Sequence, residues 1–179
     1  MSPAAQPLRR IAVGVVVERR RAESPWVDFV WRAVAVLPDD LEMKPWTVLR
    51  EDDGGALLYA GGATIDLYPS ETARYRDNLA SGSPSIWIVL SPAEGALRNC
   101  LPYSWPYSVA AVTADPAEGE AFCGLEANLV EAVPMPEMLR EAVESFVAEH
   151  HVEEQFFKRV RGRADPEALA RRRHEDGRG

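Results

Sequence analysis

The segment RIAVGVVVERR, residues 10–20, predicts a β-strand. Its apolar residues alternate along the chain at Ile11, Val13, Val15 and Val17. This alternation, together with the many β-branched side chains, is typical of a strand, because successive side chains of a strand point to opposite faces of a sheet. The charged run from Glu18 to Arg21 predicts the end of the strand. A sheet therefore begins here.

Further strands are predicted where apolar residues alternate between turn residues. These segments are 25–38, 46–52, 56–61, 63–69, 85–92, 107–115 and 128–136. In the first segment one face is apolar, formed by Val27, Phe29, Trp31, Ala33, Ala35 and Leu37. In the fourth, Ile65 and Leu67 share one face, and in the fifth, Ile86, Ile88 and Leu90 are expected to point inward. Short gaps between the early strands favour antiparallel pairing, with Asp52 to Gly55 as a hairpin turn.

Three helices are predicted in the second half of the chain. Ser70 is expected to cap a short helix over residues 71–81, which Gly82 ends. Asp115 and Pro116 predict the start of a second short helix that reaches about residue 125. The longest helix is predicted over residues 136–157, and its apolar stripe consists of Leu139, Val143, Phe146 and Val147.

These elements predict an α+β fold with a mostly antiparallel sheet, two short helices, a longer C-terminal helix and a disordered basic tail. Residues 1–9 are interpreted as a disordered lead-in, residues 10–161 as a single domain, and residues 162–179 as the tail. A length of 179 residues and a hydrophobic content of 46% fit one globular domain.

Charge is distributed unevenly along the chain. From Lys158 to the end the sequence contains eight Lys or Arg and four Asp or Glu, which gives +4, so the rest carries −12 of the total of −8. Such an acidic body repels nucleic acid and anionic membranes, and only the tail attracts them. The chain shows no secretory signal and no apolar run long enough to span a membrane, so a cytoplasmic location is expected.

Several local patterns suggest chemistry, and a structural interpretation competes with each. Gly61-Gly62 lacks the motif of a phosphate-binding loop, which favours a turn or bulge. The segment EHHVEEQ, residues 149–155, is rich in metal-ligating side chains, but its spacing matches no closed site, and we expect no bound metal or cofactor. Cys100 and Cys123 form no CxxC pair and are expected to be buried free thiols. Asp28, Arg32, Asp66, Arg74 and Arg76 could line a polar pocket, but ordinary surface charge is the favoured interpretation.

Three segments together resemble a known bacterial family. They are VGVVVERR, SPWVDFVWRAVAVLP and VPMPEMLREAVESFVAEHHVEEQFFKR, and the chain resembles the domain of unknown function 3305 family over residues 9–162. The resemblance implies a role near molybdenum-dependent formate dehydrogenase, because members are typically encoded beside that enzyme and its accessory proteins. Some members are labelled molybdopterin-guanine dinucleotide biosynthesis protein A, but this chain lacks the N-terminal glycine-rich loop of the guanylyltransferases.

The sequence therefore favours a non-catalytic accessory or assembly protein that binds a protein partner, such as formate dehydrogenase or its assembly factors. A small enzyme or cofactor-binding protein of molybdopterin metabolism is the first alternative, and a nucleic-acid-binding module that uses the tail is the second. The predicted contact is the end of the last helix with its extension, or else an exposed tryptophan-bearing sheet face. The candidate partner-binding residues at the helix end are Glu149, His150, Glu153, Glu154, Phe156, Phe157 and Lys158.

Overall fold

The computed structural model describes residues 6–93, 105–124 and 127–152. Its strands are β1 (Arg9–Arg21), β2 (Phe29–Leu37), β3 (Thr47–Asp52), β4 (Gly55–Leu67), β5 (Ser85–Pro92), β6 (Tyr107–Thr113) and β7 (Leu129–Pro134). Its helices are α1 (Thr72–Ala80), preceded by a 3-10 turn (Pro69–Glu71), α2 (Pro116–Cys123) and α3 (Glu137–His150). The predicted α+β class is confirmed. The predicted basic tail lies outside the described residues.

The strands form two antiparallel sheets rather than one. The larger sheet has the order β2-β1-β4-β3, and the smaller has the order β6-β5-β7. Strand β4 lies against β6 and β2 lies against β7, so the two sheets enclose a common core. A single cluster of buried side chains joins both sheets to α1 and α3. It includes the predicted inward residues Val13, Val15, Val17, Ile65, Leu67, Ile86, Ile88, Leu90, Leu139, Val143 and Phe146.

Strand β1 continues through the charged run that was predicted to end it. Glu18 to Arg21 pair with Arg32 to Phe29 of β2, and Glu18 to Arg20 also pair with β4. The run is compatible with a strand because its arginines form ion pairs with neighbouring side chains: Arg19 with Glu51 at 3.0 Å, and Arg20 with Glu18 at 2.8 Å. The β1–β2 hairpin is therefore longer than the apolar alternation indicates.

Bulges in β2 and β4 change which side chains face the core. Val16 pairs with Ala35 and Val17 with Ala33, so Val34 is an extra residue in β2. Such an extra residue shifts the alternation by one position. Ala33 and Val36 are therefore buried, and the predicted apolar face does not continue without interruption from Ala33 to Ala35 and Leu37.

Residues 56–61 and 63–69, predicted as separate strands, belong mostly to the continuous strand β4. Val15 pairs with Gly61 and Val16 with Tyr59, which leaves Ala60 as the extra residue of a bulge. Gly61 has φ of 133°, a conformation that residues with a side chain rarely adopt. The interpretation of Gly61-Gly62 as a turn or bulge is confirmed, since the bulge lies at this point.

The helix ends follow the capping predictions in part. The Asp115 carboxylate accepts a hydrogen bond from the Ala117 amide at 2.9 Å and caps α2, as predicted. Ser70 does not cap α1, because its hydroxyl donates to the Glu71 carboxylate and the chain first makes a 3-10 turn. Helix α3 ends at His150 rather than near residue 157, and His151 has an extended backbone.

Candidate functional site

The loop that joins β1 to β2 projects beyond the paired strands and is held by hydrogen bonds at its base. The Ala22 amide donates to the Asp28 carbonyl at 3.0 Å, and the Arg21 amide donates to the Gly54 carbonyl of the neighbouring hairpin at 3.2 Å. Within the loop, the Trp26 amide donates to the Ser24 hydroxyl at 3.3 Å. We call residues 22–30 the hairpin tip. These hydrogen bonds order the backbone of the hairpin tip in the unbound protein.

Apolar side chains are concentrated in the hairpin tip and open to solvent. Trp26 is 90% exposed, Val27 55%, Val30 49% and Phe29 40%. The other exposed large apolar side chains of the described residues are less exposed than Trp26, and four of them fall within residues 41–49: Leu8, Leu41, Met43, Val48, Leu49, Met138 and Val152. Single exposed apolar residues are ordinary, but a contiguous group of them usually marks an interaction site.

Two open hollows flank the loop. One, of about 450 Å³, lies between Val27, Val30 and Arg32 and is mainly apolar. The other, of about 430 Å³, is bordered by Pro25, Asp28 and Phe29. Val27 borders both hollows, so the surface around the loop is concave and partly apolar.

The root of the hairpin is fixed by aromatic packing. Trp31 of β2 contacts Trp46 and Trp105 edge-on, each with ring centroids 6.0 Å apart, while Trp46 and Trp105 stack at 5.5 Å. Trp46 has φ of 66°, in the left-handed region, and its amide donates to the Tyr59 carbonyl at 2.5 Å. Such aromatic pairs contribute about 0.5–1.5 kcal/mol each beyond their buried area. The hairpin therefore extends from a rigid base.

Arginines of β1 and β2 next to the tip are paired with acidic side chains. The Arg19 guanidinium lies 4.7 Å from the Phe29 ring centroid and also donates a hydrogen bond to Glu51. This cation–π contact orients the Phe29 ring. Arg32 bonds Glu131 of β7 at 3.2 Å, and these hydrogen bonds raise the pKa of Arg32. Acidic Glu23 and Asp28 stand on either side of Trp26 in the sequence. The tip is therefore apolar with a balanced charged border.

The residues predicted at the end of the last helix are only partly described. Glu149 is exposed, and its carboxylate lies 3.4 Å from the His150 imidazole. The His150 ring packs on Phe146 with centroids 4.7 Å apart, so it belongs to the edge of the core. The remaining candidates lie outside the described residues, namely Glu153, Glu154, Phe156, Phe157 and Lys158.

The other candidate patterns take ordinary structural roles where the structure describes them. Arg32, Asp66, Arg74 and Arg76 bind different partners: Glu131, Arg10, Asp115 and His151, respectively. Cys123 is a free thiol, but it is exposed rather than buried as predicted, while Cys100 lies outside the described residues. Within residues 6–93, 105–124 and 127–152, no group of three metal-ligating side chains is close enough to hold an ion, and the expectation of no metal stays a prediction.

Sequence reasoning missed the hairpin tip because it placed residues 25–28 inside a strand. Strand β2 begins only at Phe29. The available signal was the Ser24-Pro25 pair, since both residue types are typical of turns. A turn at this point moves Val27 from the predicted apolar face to solvent, and it takes Trp26 out of the predicted strand.

Comparison with known proteins gives one match. A family model described as "Protein of unknown function (DUF3305)" matches residues 12–161. No curated protein and no solved structure matches the chain. The matched range includes the hairpin tip and α3. No helix in the described part of the chain is long and apolar enough to cross a membrane.

Proposed function

The chain belongs to the domain of unknown function 3305 family, and from this premise we propose that it is a non-catalytic accessory protein that binds another protein through its hairpin tip. The proposed partner is a molybdenum-dependent formate dehydrogenase or one of its assembly factors, which rests on the family resemblance. The observation that carries the binding role is the 90% exposure of Trp26 beside three more exposed apolar side chains.

Physical arguments support binding by the tip. Tryptophan is among the residues whose truncation most weakens protein complexes, because it buries a large apolar area in a partner's pocket. The hydrogen bonds at Ala22, Arg21 and Trp26 order the loop in advance, which lowers the entropy cost of association. A folded protein partner is favoured over an anionic membrane, because the charged border of the tip is balanced and the body as a whole is acidic.

The test compares Trp26→Ser with Met138→Ser, a control on α3 whose side chain is 65% exposed. Affinity for purified formate dehydrogenase and its assembly factors from the same organism would be measured by biolayer interferometry. We expect Trp26→Ser to weaken binding by about 30-fold or more, which corresponds to the roughly 2 kcal/mol of a central anchor. Neither variant should lower the melting temperature, since neither side chain belongs to the buried core.

Two further arms make the proposal refutable. A Phe156→Ala/Phe157→Ala double variant tests the helix end, and the proposal requires it to retain binding. Co-sedimentation with vesicles of anionic phospholipid tests the membrane. Equal affinity of Trp26→Ser and wild type, loss of binding only in the double variant, or vesicle binding without protein binding would each contradict the proposal.

A further inference from the structure

The outer face of the larger sheet, which points away from the smaller sheet, contains an open hollow at one end. At the other end, the connection between β2 and β3 covers this face, because Asp40 lies over Gly62 and accepts a hydrogen bond from the buried Tyr59. The hollow has a volume of about 410 Å³ and lies where β1, β4 and β3 run side by side. We call the residues that line it on this side of the sheet the open face: Glu18, Arg20, Gly55, Leu57, Arg50 and Asp52.

The strand register arranges the open face in two rows that cross the strands. Residues that lie directly opposite each other in antiparallel strands point to the same side of the sheet, and so do residues two positions apart along one strand. The first row is Glu18, Leu57 and Arg50, and the second row is Arg20, Gly55 and Asp52. Each row therefore has one charge on β1, the opposite charge on β3 and an uncharged residue of β4 between them.

The charges also alternate along the strands, and the arginines remain open to solvent. Arg20 Nε lies 2.8 Å from Glu18 Oε1, and the Arg50 guanidinium lies 3.8 Å from the Asp52 carboxylate. The side chain of Arg20 is nevertheless 70% exposed and that of Arg50 is 74% exposed. A guanidinium has five N–H donors, so each arginine can bind a second carboxylate in addition to its neighbour on the same strand.

We propose that the open face is the contact surface of a symmetric dimer, in which the open face of a second copy of this chain packs against it. The two-fold axis lies between the two rows and runs perpendicular to the strands. Glu18 of each copy then faces Arg20 of the other, and Arg50 faces Asp52. In a two-fold contact each such pair occurs twice, so the whole pattern of charges is matched by itself.

The uncharged residues select this axis over the other two-fold arrangement. With the axis perpendicular to the strands, Leu57 of each copy faces Gly55 of the other, where the absence of a side chain leaves room for it. An axis parallel to the strands would also match the charges, but it would set Leu57 against Leu57 and leave a gap between the two glycines. Close packing of apolar side chains favours the first arrangement.

A second copy is the occupant that the charges favour. The open face is neutral, with two acidic and two basic side chains, whereas the whole chain carries a net charge of −8. An unrelated partner would need the inverse of this alternating pattern, which a second copy has by symmetry. At an ionic strength of about 0.15 M the Debye length is about 8 Å, so repulsion between the two acidic bodies is screened while side chains in contact still attract.

The strength of the dimer follows from the size of the contact. The open face spans only three strands, so the contact belongs to the small, transient class of protein interfaces. We therefore expect a dissociation constant above roughly 1 µM. Sedimentation velocity of the full chain, over about a hundredfold range of concentration, should show a reversible monomer–dimer equilibrium.

A charge-exchange variant tests the arrangement without separating the acid and the base on β1. Glu18→Arg/Arg20→Glu keeps one acid beside one base on β1, so the chain should fold, as checked by its melting transition. The variant should dimerise with itself about as strongly as wild type, because each exchanged acid again faces an exchanged base. A fluorescently labelled variant should bind wild type about tenfold or more weakly than it binds itself, because like charges then face each other.

A second variant tests the apolar contact. Leu57→Ala should weaken the dimer by about fivefold or more, because its side chain no longer fills the space over Gly55. Val48→Ala is the matched control and should leave the dimer unchanged, because Val48 is an exposed apolar residue of the same sheet that lies opposite Leu58 and so belongs to the other side. Trp26→Ser should also dimerise normally, which separates this contact from the hairpin tip.

Several results would overturn the proposal. A monomer over the whole concentration range excludes the dimer. Equal affinity of the exchange variant for itself and for wild type places any dimer contact elsewhere, and an exchange variant that folds but does not self-associate contradicts the assigned axis. An unchanged dissociation constant in Leu57→Ala, or loss of the dimer in Trp26→Ser, also contradicts a contact through the open face.

Discussion

Gly62→Ala tests how the connection between β2 and β3 is fastened to the larger sheet. Gly62 pairs with Gly14 of β1, so the larger sheet carries no side chains at these two neighbouring positions. The Tyr59 ring lies against Gly14, and its hydroxyl donates to the Asp40 carboxylate at 2.5 Å. A methyl group on Gly62 would overlap that carboxylate. The substitution therefore displaces Asp40 and breaks its bond to the buried Tyr59.

The size of the effect follows from two opposing contributions. A hydrogen bond to a charged group contributes about 1.5–3 kcal/mol to stability. Alanine in a strand is more favourable than glycine by about 0.5–1 kcal/mol, because glycine loses more conformational freedom on folding. Gly62→Ala should therefore lower the free energy of unfolding by roughly 1–2 kcal/mol. In an Asp40→Ala background the overlap is absent, and the same substitution should become neutral or stabilising.

Urea unfolding monitored by tryptophan fluorescence measures both effects in a double-mutant cycle. With a slope of about 2 kcal/mol/M, a loss of about 1.5 kcal/mol shifts the midpoint by roughly 0.7 M. Gly54→Ala is the control, because a methyl group there would meet only Asp52 Oδ1 at an ordinary contact distance of 3.5 Å. The reasoning is refuted if Gly62→Ala costs the same with and without Asp40.

Two further predictions concern buried aromatic side chains. Phe146→Ala should lower the free energy of unfolding by about 3–5 kcal/mol in the same urea assay, because its ring is fully buried against Tyr75, whereas Met138→Ala should change it little. Burial raises the pKa of both Tyr59 and Tyr75 from 10 to about 12, so folding favours their neutral forms. The resulting stability is complete below pH 10 and is lost as the pH rises toward 12, and Tyr75→Phe should flatten this decline.

Periodicity was sufficient wherever the chain keeps a regular alternation. Ile86, Ile88 and Leu90 of β5 are all fully buried, as their spacing predicts. The apolar stripe of α3 is also confirmed, because a helix of this kind has one face against the core. Such patterns depend only on the repeat of the local element, so the sequence contains all the information they need.

Bulges and tertiary contacts are the reason why the sequence did not predict the inward faces of β2 and β4 or the end of α3. The extra residues Val34 and Ala60 have ordinary side chains, and nothing local distinguishes them from their neighbours. Their positions depend on how three strands align, which is a property of the whole sheet. The end of α3 has the same origin, because His151 leaves the helix where Thr72 and Arg76 of α1 bind it. A contact across 79 residues is not visible in a local pattern.

Trp26 and His151 are each unusual in how far they are buried: a large apolar side chain is exposed at Trp26, and a polar ring is half-buried at His151. Trp26 is a large apolar side chain in solvent, so it contributes almost nothing to folding, and the exposed position gains free energy only when another surface covers it. His151 is a half-buried polar ring whose two nitrogens both have hydrogen-bond partners on α1, Thr72 and Arg76, so it contributes to folding by joining the end of α3 to α1. Substitution at the tip should therefore change affinity without changing stability, whereas substitution at His151 should lower stability, because both contacts to α1 are lost.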